Sequence, residues 1–194
     1  MSEVFLVVGL GNPGRPYAGN RHNAGYLVAD RLAERIGGRF RTQKAHRSPG
    51  RAEVLDGRLG GVRAVLIKPQ AAMNESGGPV AGVRTFFSVP LEQVVVVHDE
   101  LDLPYGAIRV KQGGGSNGHN GLRSLTRSLG GPDYTRVRFG IGRPPGRQDP
   151  ADYVLRDFSV AERRDLDLHV EQAADAVEAV LLHGTDIAQE RINP

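Results

Sequence analysis

The sequence predicts a single α/β domain over residues 1–194, built as a mixed twisted sheet with helices on both faces. Three observations predict it. Val4–Leu10 and Val94–Val97 are unbroken apolar runs, as strands buried on both faces require. Ala24–Ile36 and Leu166–Leu181 place apolar residues at helical spacing. Gly and Pro clusters punctuate the segments, with no internal repeat and no linker to divide a chain of 194 residues, long enough for one full core.

The opening stretch organises the rest. After Val4–Leu10, residues Gly11, Pro13, Gly14, Pro16 and Gly19 forbid regular structure, and the polar groups Asn12, Tyr17, Asn20, Arg21, His22 and Asn23 gather there. Polar side chains on a loop at the carboxyl end of a buried strand are where open α/β proteins keep their sites. The helix at Ala24–Ile36 follows, ended by Gly37-Gly38. Residues 39–50 read as basic and irregular. Arg51–Leu55 and Val62–Lys68 read as two strands joined by a turn around Asp56-Gly57, the second stopped by Pro69. The loop after Lys68 leads into a helix ending near Phe87-Ser88. Val94–Val97 runs straight into His98, Asp99, Glu100, Leu101 and Asp102. Ala107–Gln112 reads as a strand, followed by a glycine-rich segment and a helix from about Leu122 to Leu129. Thr135–Ile141 alternates, with Arg136 and Arg138 on one side and Val137 and Phe139 on the other. Residues 142–150 read as a mobile loop. Ser159 and Glu162 form a capping box opening the final helix, whose apolar stripe is stopped by Gly184.

Composition narrows the function. With no cysteine there is no disulfide scaffold, thiolate nucleophile or thiolate metal site. No apolar run approaches the ~20 residues of a membrane span, and the opening apolar run reads as a strand rather than a signal peptide. A cytoplasmic location fits. The net charge of +3 conceals an asymmetry: residues 1–148 carry 21 Lys and Arg against 11 Asp and Glu, whereas 149–194 carry 4 against 11. An arginine-rich surface with one acidic helical face and a basic face for a polyanion both fit this balance.

Several motifs compete. Gly9, Gly11 and Gly14 match a dinucleotide fingerprint, but Pro13 and Pro16 interrupt the helix it needs, and no acidic ribose ligand ends a second strand. Gly114-Gly115-Ser116-Asn117-Gly118 matches a nucleophile elbow, but glycines pad both sides and the later histidines lie on the last helix. His22 and Asp99 each follow a buried strand and could meet. His98 points to the opposite strand face. Asp99, Glu100 and Asp102 lack a histidine pair at metal-ligand spacing, so no metal or other cofactor is expected. Asn12, Asn74 and Asn120 sit in glycine-containing loops and offer amides to grip a backbone or carbonyl.

Taken together, GLGNPG (9–14), Tyr17, RHNAG (21–25), Lys68-Pro69 with Met73-Asn74, His98 to Gly106, the segment from Lys111 through GHNGLRS to Ser124, and Arg136 to Pro144 resemble bacterial-type peptidyl-tRNA hydrolase over roughly residues 4–160. The resemblance implies a monomeric esterase cleaving the bond between a peptide's C-terminal carbonyl and the 3′ ribose of tRNA, recycling peptidyl-tRNA released prematurely from ribosomes. By that likeness His22 is the general base activating water and Asp99 orients it. Asn12 helps tell an acylated amine from a free one, while Asn74 and Asn120 position substrate and water and stabilise the oxyanion. Tyr17 borders the tRNA 3′ end. Lys111 and Arg138 meet a phosphate, and His119 lies beside Asn120. Three departures stand out: Ala72 replaces a usual aromatic residue, Glu75 a usual apolar one, and Ser116-Asn117 a smaller or His-Gly pair. Two competing readings remain, a serine esterase using Ser116 and a catalytically silent RNA-binding domain.

Overall fold

The computed structural model describes residues 3–44 and 50–194. Among them, the strands β1 (Val4–Gly9), β2 (Arg41–Lys44), β3 (Arg51–Leu59), β4 (Val62–Pro69), β5 (Val94–Glu100), β6 (Ile108–Gln112) and β7 (Thr135–Gly140) form one sheet in the order β2-β3-β4-β1-β5-β7-β6. β1 runs parallel to β4 and β5, and β5 parallel to β7; the β2–β3, β3–β4 and β6–β7 pairs are antiparallel. The expected mixed sheet is therefore present.

Among the described residues, seven α-helices follow the chain: α1 (Ala24–Ile36), α2 (Gly77–Phe87), α3 (Asn120–Leu129), α4 (Pro150–Val154), α5 (Val160–Arg163), α6 (Leu166–His183) and α7 (Thr185–Ile192). Val7, Val95 and Val97 point to the face covered by α1 and α6, and Leu6, Val8, Val94 and Val96 to the face covered by α2 and α3. The apolar runs Phe5–Val8 of β1 and Val94–Val97 of β5 are thus unbroken because each has a core on both sides. The acidic face of α6 answers α1: Arg35 pairs with Glu171, Asp175 and Glu178, and Arg31 with Glu171. Much of the charge asymmetry read from the sequence is spent within the fold.

The chain departs from the expected elements in several places. The hairpin turns at Gly60-Gly61, not Asp56-Gly57. Both glycines have positive φ, 56° and 83°, which a two-residue hairpin turn demands. Asp56 instead pairs with Arg63 across the strands. Arg41–Lys44, within the segment read as irregular, forms the edge strand β2; residues 45–49 of that segment lie outside the described residues. The capping box of Ser159 and Glu162 opens the short α5 rather than α6. The segment read as a mobile loop ends at Pro150, the first residue of α4, whose N-cap is Asp149.

One close approach sets the position of everything around His22. A Cβ on Gly25 would lie 2.4 Å from Leu10 N and Val97 O, and one on Gly9 would lie 2.3 Å from Gly25 O. Only glycine lets the first turn of α1 rest directly on β1 and β5. The Leu10 N–H donates to Val97 O at 3.1 Å, extending the pairing of the two strands beyond β1. The preceding turn, Arg21–Asn23, is thereby pressed over their carboxyl ends. No helix among the described residues is long and apolar enough to cross a membrane.

Candidate active site

β1 and β5 lie side by side, yet their chain connections leave to opposite sides of the sheet, and the crevice at such a point is where α/β sheets hold ligands. A cleft of about 310 Å³ opens there. His22, Asn12, Asp99, His119, Asn120 and Asn74 line its polar side. Met73, Leu101, Pro150, Ala151, Val154 and Leu155 supply an apolar wall.

His22 and Asp99 meet as expected. His22 Nδ1 and Asp99 Oδ2 are 2.8 Å apart, and both side chains are buried. The aspartate can only accept, so Nδ1 carries the proton and Nε2 is left with a free lone pair. Burial by itself would lower the His22 pKa, but the charge and hydrogen bond of Asp99 outweigh it and raise it above 6.5. For Asp99, burial would raise the carboxyl. The charges and hydrogen bonds of His22 and His119 overcome that and hold it well below its ordinary value.

His119 adds a contact that spacing did not predict. Its Nε2 donates to Asp99 Oδ1 at 2.8 Å, so each carboxylate oxygen serves one imidazole. Its Nδ1 accepts from the N–H groups of Gly121 and Leu122 at 3.1 and 3.3 Å, making it the N-cap of α3. That cap starts the helix at Asn120, two residues before the expected Leu122. His98 faces away from His22, as its strand position requires. It binds the Asp99 carbonyl through Nδ1, and its ring stands 5.3 Å from that of His119. Burial, with the neighbouring His119 and Arg136, drives its pKa down to about 3.

Asn12 is held by three bonds. Its backbone N–H and C=O both pair with the Asn23 side chain at 2.9 Å, and its Oδ1 accepts from Met73 N–H at 2.8 Å. With that oxygen occupied, the Nδ2 amide is the group left to donate into the cleft. Asn74, on the turn Met73–Glu75, and Asn120, first residue of α3, are exposed on the cleft rim. Two N–H groups of the α3 N-terminus are already bound to His119. Side-chain amides are therefore the donors that face a ligand.

Tyr17, Lys111 and Arg138 stand outside this cleft lining. Tyr17 ends the turn Arg15–Tyr17 and is 38% exposed. Register pairs Lys111 with Arg136 and Arg109 with Arg138, putting four cations on one face of the antiparallel β6–β7 pair. Arg138 is held by Glu100 at 3.0 Å, whereas Lys111 is exposed. Arg136 is buried and donates to the carbonyls of Gly114 and Gly115, bracing the glycine-rich loop. Ser116 does not line the cleft, and no histidine pairs with its hydroxyl among the described residues. The elbow reading has no structural support.

Sequence reasoning assigned no role to three contributors. Asn23 clasps Asn12. Buried Arg21 lies 4.0 Å over the Tyr153 ring and pairs with Glu162 at 2.7 Å, tying the His22 turn to α4 and α5. The α4 wall is too short for periodicity to reveal, and its first residue closed the segment read as a loop. His22, Asp99 and His119 also bring ligand atoms within 4.8 Å of one another, as a metal trio would. The Asp99-facing nitrogens are at hydrogen-bond distance, however, and the other nitrogen of His119 caps a helix.

The comparisons with known proteins agree with one another. The family model described as peptidyl-tRNA hydrolase matches residues 6–194. The peptidyl-tRNA hydrolase of Frankia alni is 60% identical over 187 residues, covering 96% of this chain and 92% of that protein. That of Streptomyces coelicolor is 57% identical, covering 97% and 94%. The crystal structure of peptidyl-tRNA hydrolase from Acinetobacter baumannii superposes with a TM-score of 0.86 at 35% identity, covering all of this chain and 96% of that one.

Proposed function

The chain belongs to the peptidyl-tRNA hydrolase family and hydrolyses the ester of peptidyl-tRNA, and we propose from that premise how its own residues divide the work. His22 Nε2 takes a proton from water, and the water oxygen attacks the ester carbonyl. The tetrahedral intermediate then collapses. The bond to the 3′ ribose oxygen breaks, and that oxygen takes the proton back from His22 and leaves as a hydroxyl. The peptide acid loses its own proton to solvent and departs as a carboxylate. Asp99 holds the Nδ1–H tautomer and stabilises the imidazolium as it forms. General-base assistance of this kind supplies roughly 10²–10⁴-fold. The observation that carries the reading is the buried 2.8 Å contact of His22 Nδ1 with Asp99, which leaves the opposite nitrogen facing the cleft.

The Asn12 amide, fixed by Met73 and Asn23, donates to the peptide near the scissile bond and favours an acylated amine over an ammonium. Asn74 and Asn120 donate to the carbonyl oxygen as it becomes an oxyanion; losing one such donor costs about 3–4 kcal/mol. The apolar wall of Met73, Leu101, Val154 and Leu155 takes the peptide body. Tyr17 borders the 3′ end, and Lys111 with Arg138 meets a tRNA phosphate. The protein acts as a single-domain monomer in the cytoplasm and recycles tRNA from prematurely released translation products. Cleavage of N-acetyl-aminoacyl-tRNA beside its unblocked counterpart tests this. Ser116→Ala should retain activity on the blocked substrate. Equal cleavage of both substrates, or loss in Ser116→Ala, would overturn the reading.

A further inference from the structure

We propose that His119 is a positioning residue for this reaction: it locks the Asp99 carboxylate against His22, and the N-terminus of α3 fixes the tautomer that lets it do so. The inference rests on His22 acting as base.

Asp99 is buried, and a buried carboxylate with only one of its oxygens bonded leaves the other desolvated and free to turn toward a different partner. Here Oδ2 serves His22 and Oδ1 serves His119, both at 2.8 Å. Rotation of the carboxylate would break both bonds together.

What makes His119 a dependable donor is its second nitrogen. Nδ1 accepts two backbone N–H groups of α3, so it bears no proton, and the proton must sit on Nε2. The two imidazoles on one carboxylate are therefore unequal. His22 retains a free lone pair directed at the cleft. His119 has none, because its lone pair is committed to the helix. Only His22 can remove a proton from water, although both rings line the same cleft.

The groups around His119 agree with this division. Asp99 and His98 face it from β5, and His22 faces it from the turn Arg21–Asn23 with ring centres 4.9 Å apart. Arg136 of β7 stands near His98. His98 uses its own donor on the Asp99 carbonyl and leaves Nε2 without a partner among the described residues, so it cannot replace His119 on the carboxylate. Donation from His119 also tempers the proton affinity of Asp99, so the proton taken from water stays on His22 rather than passing on to the carboxylate.

The capping and positioning roles can be separated by substitution. His119→Asn keeps an effective N-cap but is too short to reach Asp99; His119→Ala loses both functions. Single-turnover cleavage of N-acetyl-aminoacyl-tRNA should fall roughly 10–100-fold in kcat for both variants, with little change in KM, as expected when a reacting group is misplaced. Thermal stability should drop further in His119→Ala, which loses the cap of α3 as well as the bond to Asp99 that both variants lack. The acid limb of the His119→Asn pH profile should move to higher pH, because Asp99 then spends its whole charge on His22. A wild-type kcat and acid limb in His119→Asn would overturn the proposal, as would a loss confined to KM. A His22→Gln arm separates the two failures. If His22→Gln remains active, the base assignment itself is wrong. If His22→Gln is inactive and His119→Asn is normal, only the positioning role falls.

Discussion

Replacing Asp99 by Asn should do more than remove a charge: it should invert the tautomer of His22. The new amide offers one oxygen and one NH2 group to two rings that both now donate to Asp99. His119 is committed to Nε2–H by its cap on α3, so it claims the amide oxygen. The NH2 group then faces His22 Nδ1. Keeping the reactive tautomer would leave two buried donors opposed, costing about 1–3 kcal/mol. Otherwise the ring flips its proton to Nε2 and loses its base. The charge that stabilises the forming imidazolium is also gone. At about 4 Å and an effective dielectric near 20 that charge is worth roughly 4 kcal/mol. Together these amount to roughly 10⁴-fold in rate. Burial, now unopposed, should also bring the His22 pKa below 6.5. Single-turnover cleavage of N-acetyl-aminoacyl-tRNA and nitrogen NMR of the His22 ring would check both parts. Activity within tenfold of wild type, or an intact Nδ1–H tautomer, would refute the reasoning.

Other consequences follow from the same structure. His98 is neutral when folded, with a pKa of about 3 against 6.5 as a free side chain. The unfolded chain therefore binds more protons between those values, and stability falls as pH drops below 6.5, by up to about 1.4 kcal/mol per unit from this group. His98→Leu should flatten that part of the urea-unfolding profile. Gly25→Ala drives a Cβ into Leu10 N and Val97 O and should cost about 1–3 kcal/mol or more in urea unfolding, with activity lost in step. Lys111→Ala should raise KM and shallow its salt dependence by about one unit of log–log slope while leaving kcat unchanged; an unaltered slope would remove Lys111 from the phosphate contact.

Most of the fold was legible because its signals are local. Unbroken apolar strands announced a doubly covered sheet, and the α1 stripe between His22 and Gly37 gave that helix residue for residue. The hairpin turn was misplaced because Asp56-Gly57 and Gly60-Gly61 are both turn signals, and only cross-strand register chooses between them. Gly57 instead sits inside β3, where a Cβ would strike Ile36. At the site, His22 and Asp99 were legible because each follows a buried apolar run, and adjacent parallel strands bring such residues together. His119 was placed beside Asn120 but not on Asp99, since a histidine N-cap carries no sequence signature and its partner lies 20 residues away. Asn23 read as one polar residue among several, because its role is to clasp another loop residue across a contact that exists only once the chain has folded.

The measurement that bears most directly on the whole account is the pH dependence of kcat/KM for N-acetyl-aminoacyl-tRNA, in wild type and in His22→Gln. This ratio reports groups of the free enzyme. The base must be unprotonated to act, and Asp99 raises the His22 pKa above 6.5. Wild-type activity should therefore climb with pH through a midpoint above 6.5. In His22→Gln the rate should be roughly 10²–10⁴-fold lower and that limb should vanish. The same limb surviving in His22→Gln, or a wild-type midpoint below 6.5, would contradict a His22–Asp99 pair as the engine of this hydrolase.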